Sequence, residues 1–346
     1  MERKRQLLFG AICTTLAASM TSVSASELEI SGFARAAGAI TNIETGKYLE
    51  RIDKNGDSGD THFGLSVSKE LPADMSVAGQ IFASGAEGGG YEMVLDWAYA
   101  TKRIGNALSM NAGKIKYPNL LVSEFVDVGI AYPWIRPPQE MYSFDVEGRP
   151  NLSLESFVGA SVIYNGFAGD IEYSAQAYAG DAGLEAGQLS KMMGAKLVAG
   201  TDMFSVQAGL NKHMPENTLG EGGLPADKNG KDITVITVGA TVHAANVLLM
   251  SEYASGTATV EAGEESLDTS AYYATLGYQL GKILPHVTYA KLDAEDGQSS
   301  MTYGMKYQLS PAATVKMDFS QITPDAEPGM AAEDFGVLSV ALDLVF

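Results

Sequence analysis

The residues most able to do chemistry crowd into one stretch. Between 116 and 155 stand Lys116, Glu124, Asp127, Arg136, Glu140, Asp145, Glu147 and Arg149. Tyr117, Phe125, Tyr132, Trp134, Tyr142 and Phe144 are interleaved with them. In a confined site carboxylates favour cations, Lys and Arg favour anions, and rings pack or stack on apolar faces. Pro133, Pro137 and Pro138 stiffen the stretch, as a fixed constriction requires and a flexible lid does not. A second group, Asp53-Lys54-Asn55-Gly56-Asp57, alternates oxygen ligands around a glycine. Asp53, Asn55 and Asp57 are therefore weak metal candidates, lacking the bidentate Glu of a helix–loop–helix calcium site.

Catalytic patterns are missing. His62, His213, His243 and His286 have no ligand spacing. The Gly-Lys pairs at 46–47, 113–114, 230–231 and 281–282 are not followed by Ser or Thr, so no phosphate loop forms. No Gly-x-Ser-x-Gly elbow occurs. The reading is of no enzyme and no cofactor.

Residues 1–25 read as a signal peptide: Arg3, Lys4 and Arg5, an apolar run from Leu7 to Ala18, and small residues before a cut near Ala25. The only cysteine, Cys13, lies within it, and Gly10 three residues earlier argues against a lipoprotein site. The remaining chain, 26–346, cannot use disulfides although it is exported. Removing Glu2 and the three basic residues leaves 20 Lys+Arg against 41 Asp+Glu, a net charge of −21. Nucleic acid is then a poor partner. No apolar run of about 18 residues exists outside the leader, which excludes a helical membrane protein and leaves a transmembrane β-barrel open.

The elements that must position the charged stretch alternate with period 2. Strands are expected near 27–40, 61–70, 75–84, 91–101, 107–115, 156–165, 169–180, 191–200, 203–212, 232–243, 247–257, 268–280, 282–293, 299–309, 313–322 and 333–346. Met93, Leu95, Trp97 and Tyr99 are assigned one face of the fourth strand, and Glu92, Asp96 and Ala100 the other. Short connections (71–74, 103–106, 165–168, 244–246, 309–312) alternate with long polar ones (41–60, 116–155, 213–231, 258–267, 323–332). That asymmetry fits an all-β, antiparallel transmembrane barrel of about sixteen strands. Parity puts Arg35, Glu92, Asp96, Lys196, Glu252, Lys306, Lys316, Asp318 and Asp343 on the lumen. It puts Trp97, Tyr99, Tyr278, Tyr303, Tyr307 and Phe346 on the lipid face, where aromatic girdles form.

The leader, the Gly/Ala-rich first strand Leu28-Glu29-Ile30-Ser31-Gly32-Phe33-Ala34-Arg35, the strand rhythm over the whole mature chain and the terminal Phe346 together resemble a Gram-negative outer-membrane porin of the sixteen-stranded general type. The resemblance implies that 116–155, the longest connection, folds into the lumen as a constriction loop. Its acidic residues would face Arg35, Lys306 and Lys316 on the wall, so that Glu124, Asp127, Arg136, Glu140, Asp145, Arg149, Arg35, Lys306 and Lys316 line the constriction. It further implies a homotrimer in outer-membrane lipid, with the last strand handed to the barrel-assembly machinery. The function expected is passive diffusion of small hydrophilic solutes and ions, leaning to cations. A sugar- or organic-acid-selective channel, with Tyr132 and Trp134 stacking on the solute, is the first alternative. A non-conducting adhesin or structural barrel is the second.

Overall fold

The structure, a computed structural model, describes residues 28–43, 47–49, 51–85, 91–143, 154–184, 187–216, 232–258, 267–294, 297–325 and 333–346. The expected signal peptide lies outside the described residues. Sixteen strands form: β1 Leu28–Thr41, β2 His62–Leu71, β3 Met75–Gly85, β4 Tyr91–Ile104, β5 Leu108–Lys116, β6 Ser156–Ala168, β7 Ile171–Leu184, β8 Gly187–Gly200, β9 Phe204–Glu216, β10 Ile233–Ala244, β11 Val247–Ala258, β12 Leu267–Tyr278, β13 Ile283–Asp293, β14 Gln298–Ser310, β15 Ala313–Pro324 and β16 Phe335–Val345. Each pairs antiparallel with its sequence neighbours, and β1 closes on β16 in one barrel. Closure leaves no unpaired edge, which lets strands this apolar exist without aggregating. The seam is fixed by a register that sets Arg35 opposite Asp343. Beyond the last strand, Phe346 and Gly32 exchange backbone hydrogen bonds of 2.9 and 3.0 Å.

Connections from even to odd strands are tight: 72–74, 105–107, 169–170, 201–203, 245–246, 279–282 and 311–312. Ala245 and Asn246 both have positive φ, 48° and 69°. Two such residues make the two-residue turn whose twist matches antiparallel strands. The expected turn at 165–168 is displaced: β6 runs on to Ala168 and turns at 169–170. Asn165-Gly166 is a turn signal that strand pairing overrides, Gly166 sitting opposite Tyr173. The other rim carries the longer segments, including 42–61, 117–155, 217–232 and 325–334.

The two faces follow the pleat. Ile30, Ile81, Leu197, Leu276 and Phe319 are exposed on the outside, with Tyr278, Tyr303, Tyr307 and Phe346 among them as expected. The Phe346 ring stacks on Phe63 at 6.0 Å. The assignment for Trp97 and Tyr99 is wrong. A bulge at Asp96 interrupts β3–β4 pairing, so Ile81 meets Leu95 but Gln80 meets Trp97. One extra residue reverses the parity beyond it. Trp97 and Tyr99 therefore lie opposite Gln80 and Ala78, on the inner face, because directly paired residues share a face. Ala98 instead faces outward: a Cβ added at Gly79, on the outer face with Val77 and Ile81, would meet the Ala98 Cβ at 3.4 Å.

Candidate functional site

β5 has 9 residues while β4 has 14 and β6 has 13. The chain therefore leaves the wall part-way up, at Lys116, and turns into the barrel. Within the loop, Ser123–Phe125 and Gly129–Ala131 form 3₁₀ turns and Gln139–Tyr142 forms a short helix, α1. Pro138, as the residue before α1, sets its start. The loop does not lie on the rim: Trp134 and Ile135 are 1% exposed and Met141 0%.

Its apolar side chains pack on one part of the wall. Leu120, Val122, Tyr132, Trp134 and Met141 form a continuous cluster with Ile233, Val235, Leu248, Met250, Tyr273 and Leu284 of β10–β13. The Trp134 indole meets Tyr273 edge-on at 5.4 Å, and its Nε1–H donates to Thr288 Oγ1 at 2.8 Å. Tyr132 and Trp134 are thus core residues, 3% and 1% exposed, and neither is available to stack on a solute. In the same region the buried Glu252 carboxylate accepts from the Leu121 N–H (2.7 Å), the Tyr142 hydroxyl (2.7 Å) and the Tyr273 hydroxyl (2.9 Å). On β9, Asn211 Nδ2 donates to Asn119 Oδ1 at 2.5 Å.

The rest of the loop is fastened by charge to β14, β15, β16 and β1. Lys316 Nζ donates to the carbonyls of Gly129 (2.5 Å) and Trp134 (2.6 Å) and lies 3.2 Å from Asp343. Lys306 Nζ donates to the Ile130 carbonyl at 2.5 Å. Arg35 donates to Asp343 Oδ1 (2.6 Å) and to the Ile135 carbonyl (2.5 Å). Asp318 Oδ2 accepts from the Ile135 N–H at 2.6 Å. The expectation that acidic loop side chains face Arg35, Lys306 and Lys316 is therefore corrected. Those three cations are bound to loop backbone carbonyls and to a wall carboxylate. Buried cations need partners close at hand, and carbonyls of a tightly folded loop supply them. Gly129 permits this approach: a Cβ there would collide with the Arg35 guanidinium and the Asp343 carboxylate.

The loop's own charges go elsewhere. Glu124 pairs with Lys196 on β8 at 3.0 Å. Asp127 pairs with Lys116 at 2.8 Å, and its backbone carbonyl contacts His62 Nε2 at 2.9 Å. Lys116 also reaches Asp96 (3.0 Å) and Glu155 (3.8 Å), so three carboxylates surround one ammonium. Glu140 is buried and accepts from Gln298 Nε2 at 2.9 Å; burial raises its carboxyl above the usual range. Arg136 donates to Asp60 (Nε, 2.8 Å) and Ser339 (2.9 Å). Asp60 and Asp57 both pair with Arg51, which ties the connection 42–61 to the inward loop. Burial alone would raise the Asp60 carboxyl, but the Arg136 and Arg51 guanidiniums outweigh it and hold it below the usual range. Asp145 and Arg149 lie outside the described residues.

The metal candidates are not assembled. Asp57 is engaged by Arg51, while Asp53 caps its own turn, accepting from the Asn55 N–H at 2.6 Å. Sequence reasoning missed Glu252, Asn119, Asn211 and Asp60 as anchors. Of these, Glu252 carried a signal: a carboxylate at an inward position beside Tyr253 and Ala254, with no basic neighbour in sequence.

The loop's partners run from β8 round to β2, with Asp127 also on Lys116 of β5 and Tyr117 on Phe157 and Tyr178 of β6 and β7. On β4 to β6 the inner wall carries Trp97 and Tyr99 beside neutral polar groups. Thr101, Asn111 and Ser161 form a hydrogen-bonded row there, at 2.8 and 3.3 Å.

No protein-family model matches the chain, and no curated protein matches it either. Solved structures do. An anion-selective porin from Comamonas acidovorans aligns with TM-score 0.67 and 12% identity over 92% of this chain and 99% of that one. Salmonella typhi OmpF, in complex with daunomycin, gives 0.63 and 15% over 93% and 98%. A trimer form of the outer-membrane protein OmpT of Vibrio cholerae gives 0.59 and 14% over 92% and 99%. At these identities the likeness is one of fold: the chain has the closed sixteen-strand barrel of outer-membrane porins.

Proposed function

We propose that the chain is an outer-membrane porin: a water-filled channel for passive diffusion of small hydrophilic solutes and ions, leaning to cations. The observation that carries this reading is the inward loop itself, held across the lumen so that solutes must pass beside it. The cluster at Lys116 supports the cation lean. Asp96, Asp127 and Glu155 outnumber the single ammonium, and a constriction with excess carboxylate attracts cations. Selectivity belongs to such local charge and not to the barrel, since an anion-selective porin shares the fold.

In this reading the chain is exported by a signal peptide cut near Ala25, is handed to the assembly machinery through the strand ending at Phe346, and works as a homotrimer in outer-membrane lipid. The trimer form among the similar structures supports the last point. A planar-bilayer recording in asymmetric KCl tests the function. Steady conductance with a cation-selective reversal potential supports it; an anion-selective potential overturns the cation lean. Absence of conductance favours the adhesin or structural barrel.

A further inference from the structure

The bulge at Asp96 has turned two aromatic residues inward that alternation alone would place in lipid. Trp97 and Tyr99 are half-buried on the inner face of β4, ring centroids 5.4 Å apart and planes tilted by 34°. They lie directly on the short-turn side of Asp96, which belongs to the Lys116 cluster. Trp97 is opposite Gln80, and the cross-strand neighbours of Tyr99 are small. Tyr99 is opposite Ala78 on β3 and Gly113 on β5, and a side chain at Gly113 would press on the Tyr99 backbone and Cβ at 2.8 and 3.1 Å.

The surroundings are neutral. Following the inner face of β4 past Tyr99 leads to Thr101, whose hydroxyl donates to Asn111, which donates in turn to Ser161. Charge flanks this patch: Asp96, which shares Lys116 with Asp127 and Glu155, on one side, and Arg103 paired with Glu70 at the short-turn rim. A two-ring platform beside a row of hydroxyl and amide groups fits a solute with one apolar ring face and several hydroxyls. A net charge on the solute would find no partner in the patch.

We propose that Trp97 and Tyr99 form a stacking subsite for a neutral pyranose-type sugar, just past the constriction. The proposal rests on the channel reading for its purpose, though the subsite can be tested without conductance. Trp97 and Trp134 are the only tryptophans in the chain. In a Trp134→Phe variant the fluorescence is that of Trp97 alone. Titration with maltose is expected to shift it saturably in the range of about 1–100 mM, and open-chain sorbitol to leave it unchanged. In bilayers, maltose is expected to reduce the KCl current over the same range. Trp97→Ala and Tyr99→Ala should weaken that block about tenfold while KCl conductance persists.

No saturable shift, an equal effect of sorbitol, or unchanged block in both alanine variants overturns the subsite. A response to benzoate in place of maltose overturns the neutral-sugar assignment. Absence of KCl conductance in the wild type overturns the channel reading instead, and the fluorescence titration then still decides the subsite.

Discussion

The ammonium of Lys316 lies 2.5 Å from the carbonyl oxygen of Gly129, so a wall cation holds the inward loop by its backbone. Replacing Lys316 by Met keeps the volume and orphans two buried carbonyls, each at a cost of about 1–3 kcal/mol. The expected outcome is a folded barrel with a loosened loop: more current fluctuation, and protease cleavage between 117 and 143 in detergent. Gly129→Ala should do the same by displacing Arg35. Wild-type protease resistance in both variants would show that these contacts do not secure the loop.

Arg136, Asp60 and Arg51 form a clasp between two loops, and its pH dependence has a definite sign. The Asp60 carboxyl is held below its ordinary value. Its contribution is therefore present above the unfolded value of about 3.9 and is lost as pH falls through the lower folded value. A spin label at Ser58→Cys should report constant mobility from pH 7 to pH 5 and greater mobility only below about pH 4. Asp60→Asn should give the mobile spectrum already at pH 7. Release near pH 6 would assign the clasp to another group.

Trp134 fills the contact between the loop and β10–β13. Its truncation to Ala is expected to lower stability by about 3–5 kcal/mol, as for other large buried aromatics. Trp134→Phe, which loses chiefly the bond to Thr288, should cost about 1 kcal/mol. Denaturant unfolding from lipid vesicles reads both, and equal costs would mean that the ring does not carry the packing.

The Lys116 cluster sets the sign of selectivity under the proposed function. Lys116→Met removes the only ammonium among three carboxylates and should raise the K⁺/Cl⁻ permeability ratio, by roughly two- to fivefold. Asp127→Asn should lower it. If reversal potentials move in neither variant, ions are selected elsewhere.

Much of the barrel was legible in the sequence because pleat and period-2 alternation are the same fact. The strands around Met301–Tyr307 and Val315–Phe319 alternate cleanly and pair antiparallel, with a register shift only at Leu309. The bulge at Asp96 was not legible: a single inserted residue leaves Trp97 and Tyr99 looking like a continuation of Met93 and Leu95. The loop's inward course came from the resemblance to porins, and Glu124, Asp127, Arg136 and Glu140 lie in that loop among the described residues. The partners of the wall cations were not legible. Arg35, Lys306 and Lys316 bind carbonyls of Gly129, Ile130, Trp134 and Ile135, and a backbone carbonyl has no signature in residue type. Proximity between loop carboxylates and wall cations was what the resemblance implied. The 3₁₀ turn at Gly129–Ala131, which presents the Gly129 and Ile130 carbonyls to the wall, decides otherwise.

The loop is tied to Arg35 on β1 and to Asn211 on β9, strands half a circumference apart. It therefore acts as a tie lining half the wall from within, fastened at both ends and between. A barrel closed only by its rim of hydrogen bonds flattens easily under side pressure, whereas one with a tie must strain the tie to change its cross-section. The width left for solutes and the roundness of the wall thus become one mechanical variable, set by the same few buried contacts.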